Sequence, residues 1–213
     1  MNWQAVTFTT QGTGYEREVL RLKASCEALS IPLRIFTYAN LGSWRANLNF
    51  KSQSIIDAMA YYPDQDIVFV DADAVVRSYP TLFDELSERR SSDIAVHFLA
   101  DRELLSGTIW LANTERGMEI AQRWHEVAKH SPAVRHQQCL ALALKALKDE
   151  GRPAKIYRLP IEYTCIFDHP LRRGKTAVIE HFQASRRYRR LMDGHPRHAI
   201  RRPVLMSQQG AMR

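Results

Sequence analysis

The chain has 213 residues, enough for one domain with a sizeable core and too few for two domains of ordinary size. Its composition, 45% hydrophobic and 25% charged, excludes a disordered or fibrous chain, and no stretch approaches the roughly 18 consecutive apolar residues of a membrane span. The net charge of +7 is concentrated late, at Arg172, Arg173, Lys175, Arg186, Arg187, Arg189, Arg190, Arg197, Arg201, Arg202 and Arg213. Such a field attracts phosphate-bearing partners: a diphosphate, a nucleic acid or another polyanion. Cys26, Cys139 and Cys165 are widely spaced with no C-x-x-C pair, which argues against a disulfide framework or a zinc knuckle. The N-terminus carries no basic start and apolar run of the secretory kind, so a cytoplasmic protein is expected.

Taken in order, residues 5–9 (AVTFT) predict a strand and the following Gln-Gly-Thr-Gly a loop. Val19, Leu20, Leu22, Cys26 and Leu29 recur at helical spacing between Glu16 and Leu29, and LRIFTY after Pro32 predicts a second strand. A helix is expected over 52–62, with Ile55, Ile56, Met59 and Tyr62 on one face. The run IVFV in DQDIVFVDADAVV is apolar at every position, the pattern of a strand buried on both faces of a parallel sheet. Further strands are expected at DIAVHFL, GTIWLAN, AKIYRL and TAVIEHF, with helices over 115–129 and 137–148. This alternation predicts a single α/β, Rossmann-like domain over 1–190, a mixed, mostly parallel central sheet flanked by helices, and a basic tail over 191–213.

Asp71 and Asp73 follow IVFV directly, at the carboxyl end of a central strand, which is the ligand edge of open α/β sheets. Two carboxylates one residue apart can direct oxygens into one small volume, and oxygen ligands suit Mg2+ or Mn2+. IVFVDADAVV resembles the Asp-x-Asp segment of nucleotide-diphospho-sugar transferases with the A-type glycosyltransferase fold, and other segments follow in that family's order over roughly residues 4–188. The resemblance implies a nucleoside-diphosphate sugar donor, with UDP the predominant nucleotide, and Mn2+ or Mg2+ as cofactor. It places Thr7, Thr9 and Tyr15, in VTFTTQGTGY, near the nucleobase and ribose. Lys51 would face donor phosphate or support the Asp-x-Asp loop, and Gly107, in LLSGTIWLAN, would let backbone approach the donor. Asn113 is expected to cap the helix that follows it. His181, in AVIEHFQASRRYR, is similar to the histidine that completes the metal site in glycogenin-like members, so the implied metal ligands are Asp71, Asp73 and His181. Ser185, Arg186 and Arg187 are implied diphosphate contacts.

The chain departs from that family at Arg135-His136-Gln137-Gln138, where many relatives carry an acidic residue before the glutamine. Two mechanisms follow. Inversion needs a general base, with His136, Asp101 and Glu103 as candidates. Retention would leave the donor diphosphate to take the acceptor proton while Gln137 steadies positive charge on the sugar; the His181 resemblance favours it. Glu162 and Asp168, in LPIEYTCIFD, are candidates for acceptor hydroxyls. The acceptor could be an oligosaccharide, a protein side chain or, given the arginine-rich tail, a hydroxylated base of DNA. A catalytically inactive, nucleic-acid-binding relative is a further alternative. A nucleotidyltransferase or phosphatase is disfavoured by the lack of a Gly-rich phosphate loop.

Overall fold

The computed structural model describes residues 1–131 and 134–192, so the basic tail from 193 onward lies outside the described residues. In chain order the elements are β1 (Trp3–Thr10), α1 (Tyr15–Ala28), β2 (Leu33–Tyr38), a short α2 (Trp44–Asn47), α3 (Phe50–Tyr61), β3 (Asp66–Val70), β4 (Ala74–Val76), α4 (Thr81–Arg89) and β5 (Ile94–Leu99). They continue with β6 (Glu103–Leu111), α5 (Glu115–His130), α6 (His136–Asp149), β7 (Ile156–Arg158), a 3-10 turn (Ile161–Thr164), β8 (Cys165–Ile166), β9 (Ile179–His181) and α7 (Ser185–Met192).

The central sheet has the order β2-β1-β3-β6-β5-β7. Strand β1 is parallel to β2 and β3, β5 is parallel to β7, and β6 runs antiparallel to both β3 and β5. The expected mixed, mostly parallel sheet is therefore present, with β6 reversed among five parallel strands. Strand β3 shows why IVFV is apolar at every position. Ile67 and Phe69 enter one core with Ile55, Met59, Ile120, Trp124 and Leu140 from α3, α5 and α6. Val68 and Val70 enter the other with Leu22, Cys26, Phe83 and Leu86 from α1 and α4. Successive side chains on a strand point to opposite faces, so both halves of the run are buried.

A second, three-stranded sheet, β4-β9-β8, stands beside the first. As a sheet it was not legible in the sequence: β9 falls within the expected strand TAVIEHF, but β4 and β8 are three and two residues long, too short for a period to show. In its register Ala74 pairs with His181, which brings the segment after Asp73 against a histidine more than one hundred residues later. Two local expectations are corrected. Leu20, read as part of the buried face of α1, is 60% exposed. Thr114 caps α5 by accepting a hydrogen bond from Gly117 N, whereas Asn113 uses its amide to donate to the Met59 and Tyr62 carbonyls. No disulfide joins the three cysteines, which are buried. Among the described residues no helix is long and apolar enough to cross a membrane.

Candidate active site

The carboxyl end of β3, the ends of β1 and β9, the start of β6 and the first residues of α2, α6 and α7 surround one cavity of about 240 Å3. Asp71, Asp73 and His181 meet in its middle, each offering one ligand atom within 4.8 Å of the others. Each of the three also has one polar atom tied elsewhere. Asp71 Oδ1 lies 2.5 Å from Lys51 Nζ, Asp73 Oδ2 accepts a hydrogen bond from Ala184 N at 2.6 Å, and His181 Nε2 is bonded to Thr108 Oγ1 at 2.9 Å. The other carboxylate oxygen of each aspartate and Nδ1 of the histidine are left to hold a cation. In the tautomer whose Nε2–H donates to Thr108, Nδ1 keeps its lone pair, the arrangement by which an outer partner fixes a metal-binding imidazole.

Gly107 closes this arrangement. A Cβ at that position would lie 2.9 Å from His181 Cε1, 3.1 Å from His181 Nδ1 and 3.3 Å from Asp71 Oδ2. The missing side chain leaves space that the His181 and Asp71 side chains border, and Gly107 O accepts from Asp71 N at 2.8 Å, locking the aspartate loop to β6. Two oxygens and one imidazole nitrogen suit a divalent cation such as Mn2+ or Mg2+. The protonation states fit as well. Burial lowers the His181 pKa to about 4, despite the opposing pull of Asp71, so the ring is neutral at pH 7. Burial, reinforced by the charge of Asp71, raises the Asp73 pKa to about 6, which marks a carboxylate held against its own desolvation cost.

Other residues singled out in the sequence divide clearly. Thr9, Tyr15, Lys51, Gly107, Ser185, His136 and Gln137 all line the cavity. Thr7 does not: it is fully buried within β1, two residues back from the edge, where a strand has retreated ~7 Å into the sheet. Asp101 also lies outside, 84% exposed at the tip of the β5–β6 hairpin and paired with Arg158. Arg186 is exposed and paired with Asp168, and neither lines the cavity. Glu162 pairs with Lys175 at 3.1 Å and Arg187 stacks over the Tyr188 ring, so both are engaged elsewhere. Glu103 accepts from Gln137 Nε2 at 2.5 Å on the rim.

Sequence reading missed Trp44 and Arg45 of α2, Arg135, Thr164 and Gln183, all of which line the cavity. Trp44 Nε1 donates to Tyr15 OH at 3.0 Å, and burial, with Asp73 nearby, raises the Tyr15 pKa, so the phenol stays protonated. The available signal for α2 was Ser43, an N-cap serine whose hydroxyl accepts from Ala46 N, immediately before Trp44.

No protein-family model and no curated sequence matches the chain. The fold, however, is similar to solved glycosyltransferases. One, described as involved in the glycosylation of the major capsid of PBCV-1, aligns with a TM-score of 0.64 and 16% identity over 89% of this chain and 99% of the other. The glycosyltransferase GlyE of Streptococcus pneumoniae TIGR4 aligns with a TM-score of 0.55 and 14% identity over 84% of this chain, which spans 55% of GlyE. Its apo form gives a TM-score of 0.54 at 15% identity. The architecture is thus the A-type glycosyltransferase fold; the chemistry has to be argued from the site.

Proposed function

We propose that the chain is a metal-dependent glycosyltransferase that moves a sugar from a nucleoside-diphosphate donor, most simply a UDP-sugar, to a hydroxyl group of an oligosaccharide or protein. The observation that carries this reading is the meeting of Asp71, Asp73 and His181 within 4.8 Å in the cavity at the ligand edge of an A-type glycosyltransferase sheet. When bound there, Mn2+ or Mg2+ supplies charge neutralisation for the departing diphosphate.

The chain's own residues divide the rest of the task. The nucleoside fits the β1 end, between Thr9, Tyr15 and Trp44, where an aromatic pair offers a stacking face. Lys51 and Ser185 border the diphosphate position. The transferred sugar falls at the β6 end, beside Gly107, His136 and Gln137. Among the described residues the only carboxylates lining the cavity are Asp71 and Asp73, both assigned to the metal. His136 is a weak base, because burial and the nearby Lys51 and His125 hold its pKa well below the ordinary value. With no other base at hand we favour retention. The bond from the anomeric carbon to phosphate oxygen breaks, the acceptor oxygen bonds to that carbon on the same face, and its proton passes to the departing diphosphate. Anomeric coupling in the first-formed product, read by NMR, tests this: the donor's configuration is expected, and an inverted product contradicts it. Release of nucleoside diphosphate that persists in EDTA contradicts the metal requirement.

A further inference from the structure

Two polar side chains of the cavity have no partner. His136 is 7% exposed and Thr164 is 2% exposed. Neither ring nitrogen of His136 and not Oγ1 of Thr164 meets a hydrogen-bonding group or solvent, although both residues line the cavity. Buried polar groups are nearly always paired, so such atoms need an explanation. The other orphaned atoms among the described residues, Thr7 Oγ1 and Asp66 Oδ2, belong to residues that do not line it.

The placement of the pair suggests what they wait for. The cavity crosses the edge of the sheet from β1, past Asp71 and Asp73 after β3, to Leu105 and Ser106 of β6. His136 opens α6 and Thr164 closes the 3-10 turn, and both of these elements pack against β6. They therefore lie beyond the metal ligands from the Tyr15 end, where a donor with its diphosphate at the triad puts its sugar. The His136 backbone is anchored: Trp124 Nε1 donates to its carbonyl at 3.0 Å, and the two rings lie 4.6 Å apart. The polar edge of the imidazole is what remains unused. The ring is neutral, because burial, Lys51 and His125 disfavour its protonated form. It thus offers one N–H and one lone pair. Its terminal torsion is broad, so the ring can turn its polar edge toward a group seated in the cavity.

We propose that His136 and Thr164 are specificity-determining residues for the transferred sugar, and that they select a neutral hexose through its hydroxyl groups. A hydroxyl both donates and accepts, which matches a neutral imidazole and a threonine hydroxyl; a carboxylate only accepts, so it would use the N–H and leave the imidazole lone pair unpaired. This inference rests on the glycosyltransferase reading, at its donor site.

Calorimetric titration of the full chain in Mn2+ tests it, with UDP and GDP, their glucose, galactose and mannose esters, and UDP-glucuronate. The variants are His136→Phe and Thr164→Val, which keep approximate shape and remove the polar atoms. The wild type is expected to bind one hexose ester more tightly than its parent nucleotide. Each variant should lose roughly five- to tenfold of affinity for that ester, the value of one hydrogen bond, and none for the parent nucleotide. His136→Phe should melt no lower than the wild type, since it removes two orphaned atoms; if it fails to fold, Thr164→Val and His136→Gln decide the matter. Variants that keep the full advantage of the ester, a wild type that binds nucleotide but favours no hexose ester, or a preference for UDP-glucuronate would each overturn the proposal. A wild type that binds no nucleotide at all instead overturns the donor reading beneath it.

Discussion

Lys51 Nζ lies 2.5 Å from Asp71 Oδ1 and 3.2 Å from the Ser106 carbonyl oxygen, so a buried cation from α3 ties the aspartate loop to β6. Lys51 also sits over the Phe69 ring, 5.2 Å from its centroid. Removing one partner of a buried pair is costly, but the Asp71 side chain keeps 32% of its exposure, so water screens part of the loss. Lys51→Met is therefore expected to destabilise the fold by about 2 kcal/mol in urea unfolding. It should also bind Mn2+ alone more tightly, because a competing positive charge has left Asp71, while binding nucleoside diphosphate more weakly. Weaker binding of Mn2+ alone would show that Lys51 positions the ligands and does not compete with the ion.

Asp73 predicts a trade between stability and function. Its pKa is raised from 3.8 to about 6 by burial and by Asp71. A group whose folded pKa is raised contributes stability that is complete below the unfolded value, about 3.9, and is lost as pH rises through about 6. At pH 8 the metal-free wild type thus carries an ionised, buried carboxylate at a cost on the order of 3 kcal/mol. Asp73→Asn, whose carbonyl can still accept from Ala184 N, should be the more stable protein at pH 8 without metal, and the difference should shrink at pH 4.5. Urea midpoints at the two pH values check the sign; a variant less stable than wild type at pH 8 would refute it.

Gly107→Ala puts a methyl group 2.9 Å from His181 Cε1. The ring has to move, and its bond to Thr108 goes with it. Overpacking of this size costs about 1–3 kcal/mol, so the fold should survive. Mn2+ affinity, followed by the EPR signal of the free ion, should fall at least about tenfold, the equivalent of one lost ligand contact at ~1.4 kcal/mol.

Tyr188 holds helix α7 against α1. Tyr188 is buried, donates to Glu18 Oε1 at 2.9 Å, and lies where a Cβ on Gly14 would be 2.0 Å from its ring. Gly14→Ala should therefore unseat α7, and with it the Ala184 N–H that holds Asp73. Trypsin should then cut at Arg186 and Arg187 well before the rest of the domain, whereas the wild type should resist. Equal cleavage rates would mean that α7 is docked by other contacts.

The centre of the site was legible because physics concentrates the signal there. A strand buried on both faces must be apolar throughout, so the two aspartates that end IVFV stand out against it. His181 was readable from its neighbours, but its placement depends on β9 pairing with β4, a three-residue match with no periodic trace. Thr7 and Thr9 have the same phase on β1 and look alike in sequence; only the position of the sheet edge separates a core threonine from a cavity one. Asp101 followed the same logic of proximity along the chain, but a hairpin tip carried it into solvent. Tyr15 was named from its segment, but its pairing with Trp44 at the β1 end of the cavity, and the slot of Tyr188 at Gly14, arise through tertiary contacts that leave no local pattern to read.

The most direct test of the central claim is thermal unfolding of wild type and Asp73→Asn with UDP, GDP, CDP and dTDP, each with and without Mn2+. Ligand at ~100 times its dissociation constant adds roughly 2.7 kcal/mol, which for a domain of this size raises the melting temperature by about 5–10 °C. One nucleotide is expected to produce that rise in the wild type, only with Mn2+, and to produce none in Asp73→Asn despite its higher starting stability. A rise of equal size in the variant, or no rise with any nucleotide in the wild type, would contradict a metal-dependent donor site at Asp71, Asp73 and His181.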